Sequence, residues 1–152
     1  MDSTAEERRL DPRLEVATHP LVVLGEIHVR LVDDRRWPWV MLTFASTVLK
    51  EIDDLSPDAS DALNRATRDV ALTLKKVTGL SRTNVATLGN VVESFHLHVV
   101  AREPGDPNWP GPVWGFGEAV PYERGDATRF RRRFNEALER RAAHLRPARE
   151  PR

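Results

Sequence analysis

A capped, one-sided helix in the middle of the chain constrains the fold more than any other feature. Ser56-Pro57-Asp58 combines a hydroxyl cap, a proline at the first helical position and an acid at the positive end of the helix dipole. From there Ala59, Leu63, Ala66, Val70, Leu74 and Val77 advance by threes and fours, so the segment to about Thr78 carries one apolar stripe, and Gly79 is placed to end it. Such a stripe must be buried, and the chain on both sides of it reads as strands. A sheet covered on one face by a long helix follows, whereas a small all-β barrel has no place for this helix.

Before that helix, Asp11-Pro12 predicts a short helix to about Glu15, ended by Thr18-His19-Pro20. Leu21 to Val32 reads as a half-buried antiparallel strand, because Ile27, Val29 and Leu31 alternate with Glu26, His28 and Arg30. Asp33 to Arg36 makes a polar turn into a second strand, Trp39 to Phe44, whose start tolerates Pro38. After the long helix, Asn84 to Leu88 and Val91 to Ala101 read as two more strands, separated by Gly89-Asn90. The stretch after Arg102 is too rich in Pro and Gly for regular structure. Its Trp109, Trp114, Phe116 and Tyr122 gain nothing from lying in water, so it is expected to pack over the sheet or a partner subunit. Asp126 caps a last helix in which Phe130, Phe134 and Leu138 lie four apart, with Arg129 and Arg131 to Arg133 read as a solvated face. The expectation is an α+β fold, an antiparallel sheet of about five strands with the long helix on one face and a C-terminal helix. Residues 1–9 and 146–152 read as disordered tails around a single domain at 10–145.

Composition narrows the function classes. At 152 residues one domain fits and a multidomain enzyme does not. Lys and Arg total 23 against 23 Asp and Glu, so no overall field favours nucleic acid or an anionic membrane as partner. The polar N-terminal stretch lacks the apolar core of a secretory signal, and no apolar run reaches the ~20 residues of a membrane span. A cytoplasmic protein is the default expectation. The absence of cysteine excludes disulfides, thiolate zinc sites and cysteine nucleophiles, and leaves five histidines to consider.

Ser94, His96 and His98 are spaced by two, which on a strand points all three out of one face while Phe95, Leu97 and Val99 point the other way. Spacing alone leaves a structural, a metal-binding and a catalytic reading of the histidines open. His96-x-His98 with Glu103 resembles the first metal motif of the cupins. Six residues separate Gly89 from His96 and seven separate Glu103 from Gly111, each one more than that motif has, and no second histidine motif follows in the right context. His28 reads as a sheet or surface residue, His19 as a loop residue, and His144 as a cation at a helix C-terminus. The tryptophans read as packing or dimer contacts before ligand stackers.

The segment from Gly89 to Arg102, followed by Trp109-Pro110-Gly111, resembles the histidine triad (HIT) superfamily of nucleotide hydrolases and transferases. The alternating His and apolar signature of that superfamily falls on Ser94, His96 and His98, with Phe95, Leu97, Val99 and Val100 at the apolar positions. Only the first histidine is missing. Asp33 to Trp39 resembles the Asn-Asp-x-Arg-Tyr-Pro-Trp hairpin of a bacterial branch of the family, Ile52 to Leu55 its pre-helix motif, and Asp106 to Gly115 its segment after the histidines.

The resemblance implies a nucleotide hydrolase or nucleotidyltransferase acting at the α-phosphate of a nucleoside 5′-phosphate derivative: a dinucleoside polyphosphate, a phosphoramidate or another activated nucleotide. It assigns His96 as the nucleophile that forms a nucleotidyl-histidine, and His98 as a donor to a phosphoryl oxygen. Asn90 is placed to meet the α-phosphate or scissile oxygen, and Asp33 the ribose hydroxyls. Asn84 and Gly89 belong to its phosphate-side loop, and Trp109 is taken as a further nucleotide contact. No metal or cofactor is required, and a homodimer is implied, with the Pro/Trp-rich segment reaching toward the neighbouring site. Ser94 occupies the leaving-group position, where serine is no charged acid at neutral pH. Glu93 replaces a proline, Ala45 removes an arginine, and Val91 is apolar where some relatives have serine. A nucleotide-binding module with lost or weak catalysis is the alternative.

Overall fold

The computed structural model describes residues 7–145, with side chains through Ala142, so most of both expected tails and the side chain of His144 lie outside the described residues. The elements run α1 Pro12–Val16, β1 Thr18–Leu24, β2 Ile27–Val32, β3 Trp39–Phe44, a 3-10 turn Ile52–Asp54, α2 Pro57–Thr78, β4 Arg82–Ala86, β5 His96–Arg102 and α3 Asp126–Leu145. The five strands form one sheet in the order β1-β2-β3-β5-β4, every neighbouring pair antiparallel. The α+β architecture read from the sequence is the one observed.

Helix α2 starts and stops where its signals place it. The Ser56 hydroxyl accepts from the Ala59 amide, and Gly79 adopts the left-handed conformation at φ 74° that ends the helix. Its stripe, Leu63, Ala66, Val70 and Leu74, is buried against Leu42, Leu97, Val99 and Ala101 of the sheet. Each large apolar side chain removed from water there contributes roughly 1.5–3 kcal/mol, and the layer belongs to the larger of the two apolar clusters among the described residues. Phe134 and Leu138 of α3 complete the same core, and Phe130 packs at its border.

Besides β4, which runs Arg82–Ala86 rather than Asn84 to Leu88, two strand boundaries differ from the sequence reading. The segment Leu21 to Val32 is not one strand but the end of β1 and all of β2, joined at Gly25-Glu26 with Leu24 paired to Ile27 and Gly25 at φ 61°. The run Val22-Val23-Leu24 does not alternate, so the turn left no period to interrupt. In the second case β5 begins at His96 rather than Val91. The preceding residues bond elsewhere: the Phe95 amide donates to the Leu49 carbonyl, and the Ser94 hydroxyl to Asp11. Ser94 therefore precedes the strand. Asp126 is the first residue of α3 rather than its cap, and its carboxylate is held by Arg129.

The sheet face opposite α2 is covered by α1 and by the irregular segment 103–125. Buried Arg30 fastens α1 by donating to the Thr18 hydroxyl at 2.6 Å and to the Glu15 and Thr18 carbonyls. The irregular segment is tied at both ends. At one, buried Arg102 pairs with Asp106 at 2.7 Å, and the Trp37 indole donates to the Pro107 carbonyl. At the other, the amides of Val120 and Tyr122 donate to Asp34 and Asp33, and Arg36 donates to the Phe116 carbonyl. It packs over the sheet of its own chain. Among the described residues no helix is long and apolar enough to cross a membrane.

Candidate functional site

The pairing of β3 with β5 sets His96 opposite Thr43 and His98 opposite Met41. Leu97 and Val99 join the α2 core, so alternation turns the two histidines toward the other face, under the irregular segment. Each is only 8% exposed, and their rings meet edge to face with centroids 5.0 Å apart.

Their hydrogen-bond partners differ in kind, and that fixes two different tautomers. Nδ1 of His96 lies 2.7 Å from the Ser94 carbonyl. A carbonyl can only accept, so Nδ1 carries the hydrogen and Nε2 of the neutral ring keeps its lone pair. Nδ1 of His98 instead accepts from the Trp39 indole Nε1 at 2.9 Å. An indole can only donate, so the hydrogen of neutral His98 sits on Nε2. Burial, helped by the neighbouring His96, pushes the His98 imidazole down to about 3, which keeps it neutral across the ordinary pH range. A ring with a free lone pair thus stands beside a ring with a free N–H.

Both rings open onto a cavity of about 430 Å³ whose walls include Gly89, Asn90, Val91 and Trp114. Gly89 sits at φ 68°, a left-handed turn that glycine makes without strain. Trp114 contacts His98 edge to face at 5.5 Å between centroids, and Trp39 at 6.1 Å.

Of the residues singled out from the sequence, His96, His98, Asn90 and Gly89 line this one cavity. Ser94 is 5% exposed and is not part of its wall. Its hydroxyl donates to Asp11 at 3.1 Å, while its carbonyl holds His96. Hydrogen bonds from Arg13 hold the Asp11 carboxyl down at about 2 despite its burial, so it accepts from Ser94 as an anion. Asp33 lines an adjoining cavity of about 350 Å³ with Ala17, Trp39 and Phe116, and Gly115 borders both cavities. One Asp33 oxygen accepts from the Tyr122 amide at 2.9 Å and lies 2.9 Å from His19 Nε2. Burial raises the Asp33 pKa, but those two partners outweigh it and leave the carboxyl below its usual range.

Asn84 and Trp109 are not brought to either cavity. Asn84 accepts from Arg102 at 3.0 Å and the Trp109 ring lies 5.5 Å from the same guanidinium, so both belong to the anchor of the irregular segment. Arg102 stands four residues past His98, about 13 Å along an extended strand at ~3.3 Å per residue. Sequence reasoning missed two residues of the site. The sequence reading of the tryptophans as packing or dimer contacts before ligand stackers singles out neither Trp39 nor Trp114, although alternation from Trp39 through Met41 to Thr43 assigns Trp39 to the histidine face. Among the described residues no group of three or more His, Asp or Glu side chains is placed to hold a metal ion.

The chain matches the HIT domain family over residues 15–105. Solved structures similar to it include a histidine triad (HIT) protein from Sinorhizobium meliloti, 45% identical, covering 84% of this chain and 95% of its own at a TM-score of 0.82. A histidine triad protein from Marinobacter aquaeolei is 34% identical over 88% of this chain and 98% of its own, with a TM-score of 0.84. One from Bradyrhizobium japonicum is 29% identical over 87% and 98%, with a TM-score of 0.82. No curated protein matches the chain.

Proposed function

Since the chain belongs to the histidine triad (HIT) family, whose members are in general nucleotide-binding hydrolases and transferases, we propose that it acts at the α-phosphate of a nucleoside 5′-phosphate derivative through a nucleotidyl-His96 intermediate. The observation that carries this reading is the pair of opposed tautomers. His96 Nε2 has the lone pair to attack phosphorus, and His98 Nε2–H is the adjacent donor for a phosphoryl oxygen as charge builds on it. Asn90 adds a side-chain amide on the same wall. The adjoining cavity is the proposed nucleoside site, where the Asp33 oxygen not held by Tyr122 accepts from the ribose. No step requires a metal.

Intact-mass analysis after quenching a reaction with an activated nucleotide tests it. The expected result is an added nucleoside monophosphate that disappears in His96→Ala, and turnover without any adduct or any dependence on His96 overturns the mechanism.

The second reading, a nucleotide-binding module without efficient chemistry, is favoured by one observation. The Ser94 hydroxyl, at the position of the leaving-group histidine, donates to Asp11 instead of facing the cavity. Calorimetric binding of AMP or GMP with blank product assays is the outcome this reading requires. We also propose a homodimer through β4, whose outer edge has no strand partner among the described residues and which exposes Val85. Sedimentation at micromolar concentration is expected to give twice the 17.3 kDa chain mass.

A further inference from the structure

We propose that the leaving group accepted by this site is an uncharged, apolar body attached through a weakly basic oxygen, such as a phenol or an apolar carboxylic acid, and not a polyphosphate. The inference rests on the reading of His96 as nucleophile, and it concerns the part of the cavity beyond the two histidines. Leu88, Val91 and Val92 line it, and among the described residues no Lys, Arg, Asp or Glu does. Val91 is 86% exposed and Leu88 44%, so two apolar side chains stand at the entrance without covering by the rest of the fold. Two cations on flanking segments are held by acids outside the cavity wall: Lys50 pairs with Glu93 at 2.8 Å and Arg13 with Asp11 at 2.9 Å.

Two physical requirements follow from this lining. A departing nucleoside di- or triphosphate carries several negative charges, and without a facing cation its transfer into an apolar wall is unfavourable. A basic leaving group also needs a proton at the moment of departure. Ser94 gives its hydrogen to Asp11, and neutral His98 donates a hydrogen bond without being an acid of useful strength. A carboxylate or phenolate leaves without that help. The lone pair of His96 Nε2 forms the N–P bond while the P–O bond to the leaving group breaks, its electron pair departing on oxygen as the anion. Water then attacks phosphorus, the P–N bond breaks with its pair returning to Nε2, and the proton of the water passes to solvent. The products are the nucleoside monophosphate and the acid or phenol.

The test compares one nucleoside 5′-monophosphate carried by three leaving groups: an aryl ester, a mixed anhydride with an aromatic carboxylic acid, and a dinucleoside tri- or tetraphosphate. Each kcat/KM is divided by the uncatalysed rate. The aryl and acyl substrates are expected to exceed the polyphosphate by at least about tenfold, a difference of ~1.4 kcal/mol. Preference for one of the two arms identifies the phenol or the acid as the source. Val91→Lys, a change at an exposed side chain, is expected to lower the rate on the aryl ester and raise it on the polyphosphate. A smaller margin, a preference for the polyphosphate, or a variant that shifts neither substrate overturns the inference. If the polyphosphate is cleaved best and cleavage is lost in His96→Ala, this inference alone fails. If cleavage persists in His96→Ala, or no substrate turns over, the mechanism beneath it fails as well.

Discussion

The indole nitrogen of Trp39 donates to Nδ1 of His98 across the β3–β5 pair at 2.9 Å, and this bond decides which nitrogen of His98 faces the cavity. Trp39→Phe keeps an aromatic ring but removes the donor. The freed ring then samples the tautomer in which Nε2 has no hydrogen, so kcat is expected to fall by about tenfold, short of the ~10²–10³ that follows outright removal of a positioned donor, while KM changes little. Nitrogen-15 spectra of the imidazole report the tautomer directly. A His98 that keeps its hydrogen on Nε2 in the variant would assign Trp39 to packing alone.

His98 also ties stability to pH. Its folded pKa, about 3, lies below its ordinary value of 6.5, so between those values the unfolded chain binds a proton that the folded chain excludes. Stability contributed by this group is complete above 6.5 and is lost as pH falls from 6.5 toward 3, at up to ~1.4 kcal/mol per pH unit. Asp11, held at about 2, loses its contribution only at lower pH, below its ordinary 3.8. Urea unfolding at pH 7 and pH 5 is expected to show a steeper loss for the wild type than for His98→Gln, and equal slopes would remove His98 as the cause.

Ser94→Ala separates the two functions of that residue. The carbonyl that holds His96 remains, while Asp11 loses a donor, so a stability cost of about 1 kcal/mol is expected. The rate is expected to fall by less than about tenfold, well short of the ~10²–10⁴ that follows removal of a general acid. A larger loss in steady-state assays would return the hydroxyl to the chemistry.

At Asp33, substitution by alanine is expected to raise KM several-fold and leave kcat nearly intact. A ribose contact distant from the reacting phosphorus is made equally in the ground and transition states. A fall in kcat of similar size would instead mean that the Tyr122 bond to Asp33 positions the wall of the histidine cavity.

The fold was legible because the helix-to-sheet part of its core is periodic. The α2 stripe, its serine cap and Gly79 are local signals that agree with one another, and the alternation around Leu97 and Val99 supplied the surface they cover. The histidines were legible for the same reason. What escaped was set by contacts between residues far apart in the chain: Ser94 drawn to Asp11, Asn84 and Trp109 gathered around Arg102, and Trp39 bound to His98. Ser94 matched the period-two spacing, yet nothing local revealed that the segment before His96 leaves the sheet to meet Leu49 and α1.

The irregular segment behaves as an arch with both feet on the sheet, one at Arg102 and Asp106, the other at Asp33 and Asp34. The chain must span that distance to carry α3 back to α2, and its middle, around Trp114 and Gly115, becomes the ceiling of both cavities on the way. Foundation and ceiling are therefore separable. Substitutions between the feet alter what the two chambers admit without touching the Phe134 and Leu138 contacts that close the core, so this protein's selectivity is free to drift on a scaffold that stays the same.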